Sequence, residues 1–242
     1  INDHTLPPSM RSVIIRLLFK KTTDAERLQL KNYRPIALLN IDYKILSKAL
    51  TNRMNKVINR VTTPSQTALK GFRIGDAILL IQSLLFHYSR HDVDSDAMLL
   101  FIDFEKAFDS IDHNFIFEVL KALNFPDHYI NLVKLGFTKT SCQLIINGFL
   151  TDPINMPGGG RQGDCLFPLI FSIVVMTVDV LMSEDPLLAG LKVPQSIKRV
   201  KVKQYADDTT AMLSSPVDYQ QARIHLDTFC RASGAVINWD KT

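Results

Sequence analysis

Residues 98–113 read MLLFIDFEKAFDSIDH. The five apolar residues Met98 to Ile102 are too short a run for an ordinary helix and read as a fully buried strand. That strand delivers Asp103 at its carboxyl end, where a carboxylate is costly to bury uncompensated. Beyond it, Ile116, Val119, Leu120 and Leu123 fall on one helical face, with Asp112 as a candidate N-cap. A second group of acids lies further on. Val200 and Val202 alternate with Lys201 and Lys203 into Tyr205-Ala206-Asp207-Asp208, and Thr209 to Leu213 reads as the return strand. Asp207 and Asp208 therefore sit at a hairpin tip, where like charges repel. A pair of divalent ions would relieve both costs. Two-metal phosphoryl chemistry uses carboxylates that bridge ions roughly 3.5–4 Å apart, and Mg²⁺ takes oxygen ligands while leaving positions for phosphates. An isolated Asp-Asp pair is more often a plain polar turn, so its surroundings decide its meaning.

Working outward, Ser12 to Lys20 and Arg34 to Leu39 read as two strands of a hairpin with a long loop. A helix is expected from Ile41 to Val61. Ile41, Ile45, Leu46, Ala49, Leu50, Met54, Val57, Ile58 and Val61 form its apolar face; Lys44, Lys48, Arg53, Lys56 and Arg60 face solvent or phosphate. Thr63-Pro64-Ser65 stops it. Further helices are expected over Ala77–Tyr88, Tyr129–Phe137 and Tyr219–Ala232, with a polar loop over His91–Asp96. Asn147-Gly148 between Ser141–Ile146 and Phe149–Met156 is a strong hairpin signal. Gly158-Gly159-Gly160 opens a long apolar helix. Strands and helices without strict alternation indicate an α+β fold.

The composition excludes several classes. The chain has 242 residues, 46% hydrophobic, and a net charge of only +4, which argues against disorder. Its Gly and Pro follow no period. Cys142, Cys165 and Cys230 are odd in number and form no CxxC pair, as in a reducing compartment rather than a disulfide scaffold. No signal peptide is recognisable, so the expected location is intracellular, nucleus or cytoplasm, not secreted. Cys165 to Val178 is uncharged over 14 residues, short of the roughly 20 that a spanning helix needs. It reads as a core helix, with no membrane partner.

The motifs also occur in a specific order. Phe101-Ile102-Asp103-Phe104-Glu105-Lys106-Ala107-Phe108-Asp109 resembles motif A of reverse transcriptases from non-LTR (LINE-type) retrotransposons. Gly160-Arg161-Gln162-Gly163-Asp164 with Pro168-Leu169-Ile170-Phe171 resembles motif B, and Tyr205-Ala206-Asp207-Asp208 resembles motif C. Asn32-Tyr33-Arg34-Pro35-Ile36 and Asp42-Tyr43-Lys44-Ile45-Leu46-Ser47 are similar to finger segments of that family. Ser233-Gly234 and Ile237-Asn238-Trp239-Asp240-Lys241 are similar to motif D. Cys165 and Phe167 depart from the family's usual Pro and Ser, and Gln66 to Phe72 matches its Gln-x-Gly-Phe segment loosely. A group II intron-like reverse transcriptase also carries Tyr-Ala-Asp-Asp; the wording of motifs A and B favours the LINE side. A non-catalytic RNA-binding remnant is the alternative from another class.

The resemblance implies a right-hand polymerase: fingers over 1–97 and a palm over 98–242, its antiparallel sheet packed on helices. Part of 114–160 is assignable to either, and the thumb and endonuclease are absent. It implies catalytic Asp103, Asp207 and Asp208, which with the Phe104 carbonyl would hold two Mg²⁺ ions, or Mn²⁺ in their place. Lys20, Arg34, Lys106, Ala107, Phe108, Gln162 and Gly163 would contact the nucleotide, and Tyr205 the primer end. Phe108 reads equally as a gate against a 2′-hydroxyl or as a core aromatic. The implied partners are an RNA template, a DNA primer, dNTP and the remainder of a longer polyprotein.

Overall fold

The structure is a computed structural model that describes residues 5–21, 23–69, 71–90 and 96–242. Helix α1 (Pro8–Arg11) leads into strand β1 (Ser12–Phe19), which pairs antiparallel with β2 (Tyr33–Leu38), Ile14 opposite Leu38 and Phe19 opposite Tyr33. The hairpin is part of a larger sheet, because β5 (Ser141–Ile146) lies parallel on the other side of β1.

Helix α2 (Ile41–Met54) is shorter than expected. It ends in a turn at residues 55–57, and α3 (Ile58–Val61) follows. Lys56 N–H and Val57 N–H donate to carbonyls three residues back, Arg53 and Met54, which tightens the helix end. The expected apolar face holds in part: Leu50, Met54 and Ile58 are buried and Leu46 packs against the core, but Ile41 and Ile45 are 76% and 66% exposed. The buried face carries Tyr43, Ser47, Leu50, Thr51 and Met54. Two of these hydroxyls are satisfied by a buried acid, Asp164, to which Tyr43 Oη donates at 2.7 Å and Ser47 Oγ also donates. A paired polar side chain can be buried, so hydrophobicity alone finds Leu50 and Met54 but not Tyr43, Ser47 and Thr51.

Helix α4 (Ile74–Arg90) is longer than Ala77–Tyr88 at both ends. Of the expected polar loop, 91–95 lies outside the described residues. Next come β3 (Met98–Ile102), β4 (Phe104–Glu105), α5 (Ala107–Ser110), α6 (His113–Ala122) and α7 (Asp127–Phe137). Asp112 caps α6 as expected, accepting from Asn114 N–H and Phe115 N–H. Asn147 and Gly148 have φ of 51° and 88°, the conformation that a tight two-residue hairpin requires. The strand after them is split into β6 (Phe149–Leu150) and β7 (Ile154–Asn155), both pairing with β5. Between them the Thr151 hydroxyl takes the Leu144 N–H, and Pro153 has no N–H to offer.

Helix α8 (Phe167–Glu184) begins several residues after the glycine run rather than at it. By length and composition it could cross a membrane, but most of it is buried inside the fold. It packs against α6, against β10 (Val202–Tyr205) and against α9 (Pro216–Ser233). A small ribbon, β8 (Leu191–Lys192) with β9 (Arg199–Val200), precedes β10. The second sheet has the order β10, β11 (Asp208–Leu213), β3, all antiparallel. Its central strand β11 is buried from Thr209 to Leu213. Strand β3 is at the edge, and Phe101 is 55% exposed, so the expected fully buried strand is half-exposed instead. An antiparallel sheet commonly leaves one face open to solvent. Strand β12 (Val236–Ile237) pairs with β4 and closes the fold. All three cysteines are free.

Candidate active site

Sheet register gathers the acids. Ile102 is opposite Thr209 and Tyr205 is opposite Asp208, so Asp103 follows β3 at the end of the sheet where the β10–β11 turn lies. The turn is Ala206-Asp207, with Ala206 left-handed at φ 54°. Asp103 is held by its backbone: its N–H donates to Thr242 Oγ1 at 3.3 Å, and its carbonyl accepts from Asn238 N–H at 2.8 Å. Its carboxylate lies 3.5 Å from Lys241 Nζ.

Asp103, Tyr205, Asp208 and Lys241 line a pocket of about 340 Å³ whose apolar wall includes Ile74, Ile78 and Phe101. Burial pushes the Asp207 carboxyl above the ordinary carboxylate range, its own backbone amide opposes this, and the charges of Asp208 and Asp103 add to the rise. A carboxylate raised by burial and by two acidic neighbours suits a divalent, oxygen-loving cation. Among the described residues no three acidic, His or Cys side chains are already gathered closely enough to hold an ion. The acids stand as charged neighbours rather than as a closed ligand shell.

The turn after Asp103 leads to the other expected contacts. Phe104 is buried in the β4–β12 ladder, its ring 5.9 Å from that of Phe229. Lys106 is exposed and left-handed at φ 44°, and Ala107 opens α5. The Phe108 ring stacks on Phe171 at 4.6 Å and lies 5.7 Å from Phe167. The Phe108 carbonyl accepts from Gly160 N–H at 2.7 Å, which ties this turn to the glycine loop.

In that loop the Gln162 carbonyl accepts from Ala37 N–H at 3.2 Å, and the Gln162 side chain interacts with Asp109. Gly163 has φ 105°, and a Cβ there would come within 3.2 Å of the Ala37 carbonyl; only glycine adopts that backbone freely. Lys20 and Arg34 are exposed on the β1–β2 hairpin, and Lys20 N–H closes it by donating to Asn32 O at 2.8 Å. The expected residues thus form two groups. Asp103, Tyr205, Asp207 and Asp208 surround the turn of the second sheet; Gln162 and Gly163 lie against β2 of the first.

Residues 19–242 match the family described as reverse transcriptase (RNA-dependent DNA polymerase). The chain belongs to the reverse transcriptase family. It is 34% identical over 238 residues to the transposon TX1 uncharacterized 149 kDa protein of Xenopus laevis, covering 98% of this chain and 18% of that protein. It is 27% identical to the Pol polyprotein of the type-2 retrotransposable element R2DM of Drosophila melanogaster, covering 98% and 21%. These relatives agree with the LINE-type resemblance of the motifs. The chain spans about a fifth of the length of these curated relatives. A telomerase from Candida tropicalis superposes with a TM-score of 0.67 at 12% identity, covering 98% of this chain and 41% of that one, and shares the polymerase fold.

Within this reverse transcriptase domain, three features went unread in the sequence. Lys241 belongs to the motif D segment, and no local signal links it to Asp103, from which it is far in sequence. Asp164 and Arg161 belong to the motif B segment, and no local signal marks them as buried. Arg161 is buried, donates to the Met10 and Gly136 carbonyls at 2.9 Å each, and lies 4.1 Å over the Tyr43 ring. Burial, with the neighbouring charge of Asp164, pushes the Tyr43 hydroxyl far above its ordinary value, and Arg161 opposes it. Gln66 is the third.

Proposed function

We propose that this reverse transcriptase domain adds deoxynucleotides to a DNA primer on an RNA template, as in LINE-type retrotransposition. The observation that carries this reading is the meeting of Asp103, Asp207 and Asp208 at one sheet end, with the Asp207 carboxyl raised by burial and by its acidic neighbours. Two Mg²⁺ ions, or Mn²⁺ in their place, held by Asp103, the Phe104 carbonyl, Asp207 and Asp208, would supply charge neutralisation at the reacting phosphate and activation of the attacking hydroxyl.

The primer 3′-hydroxyl oxygen forms a bond to the α-phosphorus of the dNTP while the bond to the pyrophosphate leaving group breaks. This chain's residues supply position and charge. Lys20 and Arg34 clamp the triphosphate, Arg with its bidentate fork. Backbone amides of Lys106 and Ala107 hold the phosphate tail, and Gln162 and Gly163 approach the nucleotide from the glycine loop. Phe108 excludes a 2′-hydroxyl, and Tyr205 supports the primer end.

In this reading the region 1–97 serves as fingers and 98–242 as palm, with β5 returning to the finger sheet. A thumb and an endonuclease belong to the rest of a longer polyprotein, which works inside the cell. Primer extension on an RNA template tests the assignment. Asp103→Ala and Asp207→Ala abolish incorporation and Asp208→Ala reduces it, with circular dichroism unchanged. Near-normal extension by a folded Asp103→Ala protein refutes it and favours a binder.

A further inference from the structure

Gln66 is fully buried, although its side chain is polar. Its backbone docks beside β10. Thr67 N–H donates to the Gln204 carbonyl and Gln204 N–H donates to the Ser65 carbonyl, both at 2.8 Å, making a parallel bridge between residues 66 and 204. From there the side chain reaches the turn that carries Asp207. Gln66 Oε1 accepts from Ala206 N–H at 2.9 Å, and Nε2 donates to the Ala206 carbonyl at 3.3 Å. Oε1 also accepts from Ala68 N–H at 3.2 Å. Two donors on the oxygen leave the amide one orientation.

One side chain therefore holds both backbone polar groups of Ala206. That residue is left-handed, at φ 54°, a conformation that a Cβ disfavours. The carbonyl that Nε2 holds belongs to the peptide joining Ala206 to Asp207. Holding φ and ψ of residue 206 sets the plane of that peptide and the position of the Asp207 Cα from which its side chain departs. On the opposite side, Gln204 Nε2 donates to the Val175 carbonyl of α8 at 2.9 Å, so β10 is fixed beneath the turn. The turn has a rigid base; at its tip the Gln66 amide holds Ala206, and Thr209 Oγ1 donates to the Asp207 carbonyl at 3.4 Å.

We propose that Gln66 is a positioning residue: it holds Ala206 left-handed and thereby aims the Asp207 carboxylate into the metal site. The metal consequence rests on the reading of Asp207 as a ligand. Gln66 touches no reacting atom. A merely structural role would anchor 65–67 to β10 through the backbone alone, and loss of the amide would leave metal affinity unchanged.

The test uses Gln66→Met, which keeps the length and bulk of the side chain and loses all three of its hydrogen bonds. It is paired with the double variant Gln66→Met/Ala206→Gly, in which glycine takes the left-handed conformation unaided. Binding of Mn²⁺ alone, without primer or nucleotide, is followed by electron paramagnetic resonance. Loss of an orienting hydrogen bond behind a ligand is expected to weaken it about tenfold. The double variant recovers part of the loss. Hydrogen exchange at the Ala206 amide accelerates in Gln66→Met with the melting curve still cooperative.

If Gln66→Met does not fold, Gln66→Glu retains the acceptor for Ala206 N–H and loses only the donor, and an intermediate Mn²⁺ affinity is expected. Unchanged Mn²⁺ affinity in either folded variant overturns the positioning role. Mn²⁺ binding that Asp207→Ala leaves untouched overturns the ligand reading and the metal consequence with it. An Ala206 amide that exchanges equally fast with and without Gln66 overturns the clamp itself.

Discussion

Phe108→Val separates two roles that one ring can play. The ring stacks on Phe171 at 4.6 Å and 17° and leans on Phe167, both fully buried, yet Phe108 itself is only half-buried. Losing a stacked aromatic partner costs about 1 kcal/mol beyond area. Trimming a half-buried ring to Val removes apolar contact worth about 1–2 kcal/mol. Together they lower the melting temperature by roughly 5–10 °C for a chain of this size. If the ring also blocks a 2′-hydroxyl, its loss raises rNTP use relative to dNTP by at least about tenfold, equivalent to about 1.4 kcal/mol of discrimination. Single-nucleotide primer extension with each substrate gives the ratio of kcat/KM values, and a thermal melt gives the stability. The ratio is insensitive to a smaller folded fraction, which scales both substrates alike. A fall in melting temperature with the ratio at its wild-type value refutes the steric reasoning and leaves Phe108 as a packing residue.

The raised Asp207 carboxyl has a stability consequence: its charge is favoured less in the folded chain than in the unfolded one, so its contribution is largest below the ordinary value of 3.8 and declines as pH rises through the folded value. Asp207→Asn, without divalent metal, is therefore expected to melt above wild type at pH 7, with the difference vanishing in acid; a lower melting temperature at pH 7 contradicts the sign. Asp218 behaves oppositely. Burial raises its carboxyl, but bonds from Ser214, Ala189 and Gly190 amides and the Ser214 hydroxyl outweigh it and hold the group below 3.8. Its stabilisation is present above 3.8 and lost as pH falls through the folded value, so Asp218→Asn costs about 2–3 kcal/mol at pH 7 by leaving a buried N–H unpaired. Melting curves of the two proteins should converge at low pH, and a gap that stays constant contradicts this.

Features that depend on neighbouring residues were legible in the sequence. Asp112 is an N-cap because its carboxylate meets N–H groups two and three residues on. Asn147-Gly148 makes its hairpin because those two residues tolerate positive φ. Ile116, Val119 and Leu120 are buried because helical period places them on one face. The acids follow the same logic: the apolar run ending at Ile102 and the turn at Ala206-Asp207 both lie within a few residues, and their order with the glycine loop marks the family.

Tertiary structure decided what depends on distant partners. The α2 face that turns inward is set by Asp164, whose carboxylate satisfies Tyr43 and Ser47 and makes a polar stripe buriable. Strand β5 lies parallel to β1 because the intervening chain carries it back, and no local signal specifies a parallel neighbour. Lys241 meets Asp103, and Gln66 meets Ala206, only after the second sheet has closed. Periodicity and turn chemistry act over a few residues, whereas pairing of a buried polar group is satisfied by whichever partner the fold brings within hydrogen-bond reach. The motifs that carry the acids, and with them the family, were therefore written in the sequence, and the distant contacts at Asp103 and Ala206 were not.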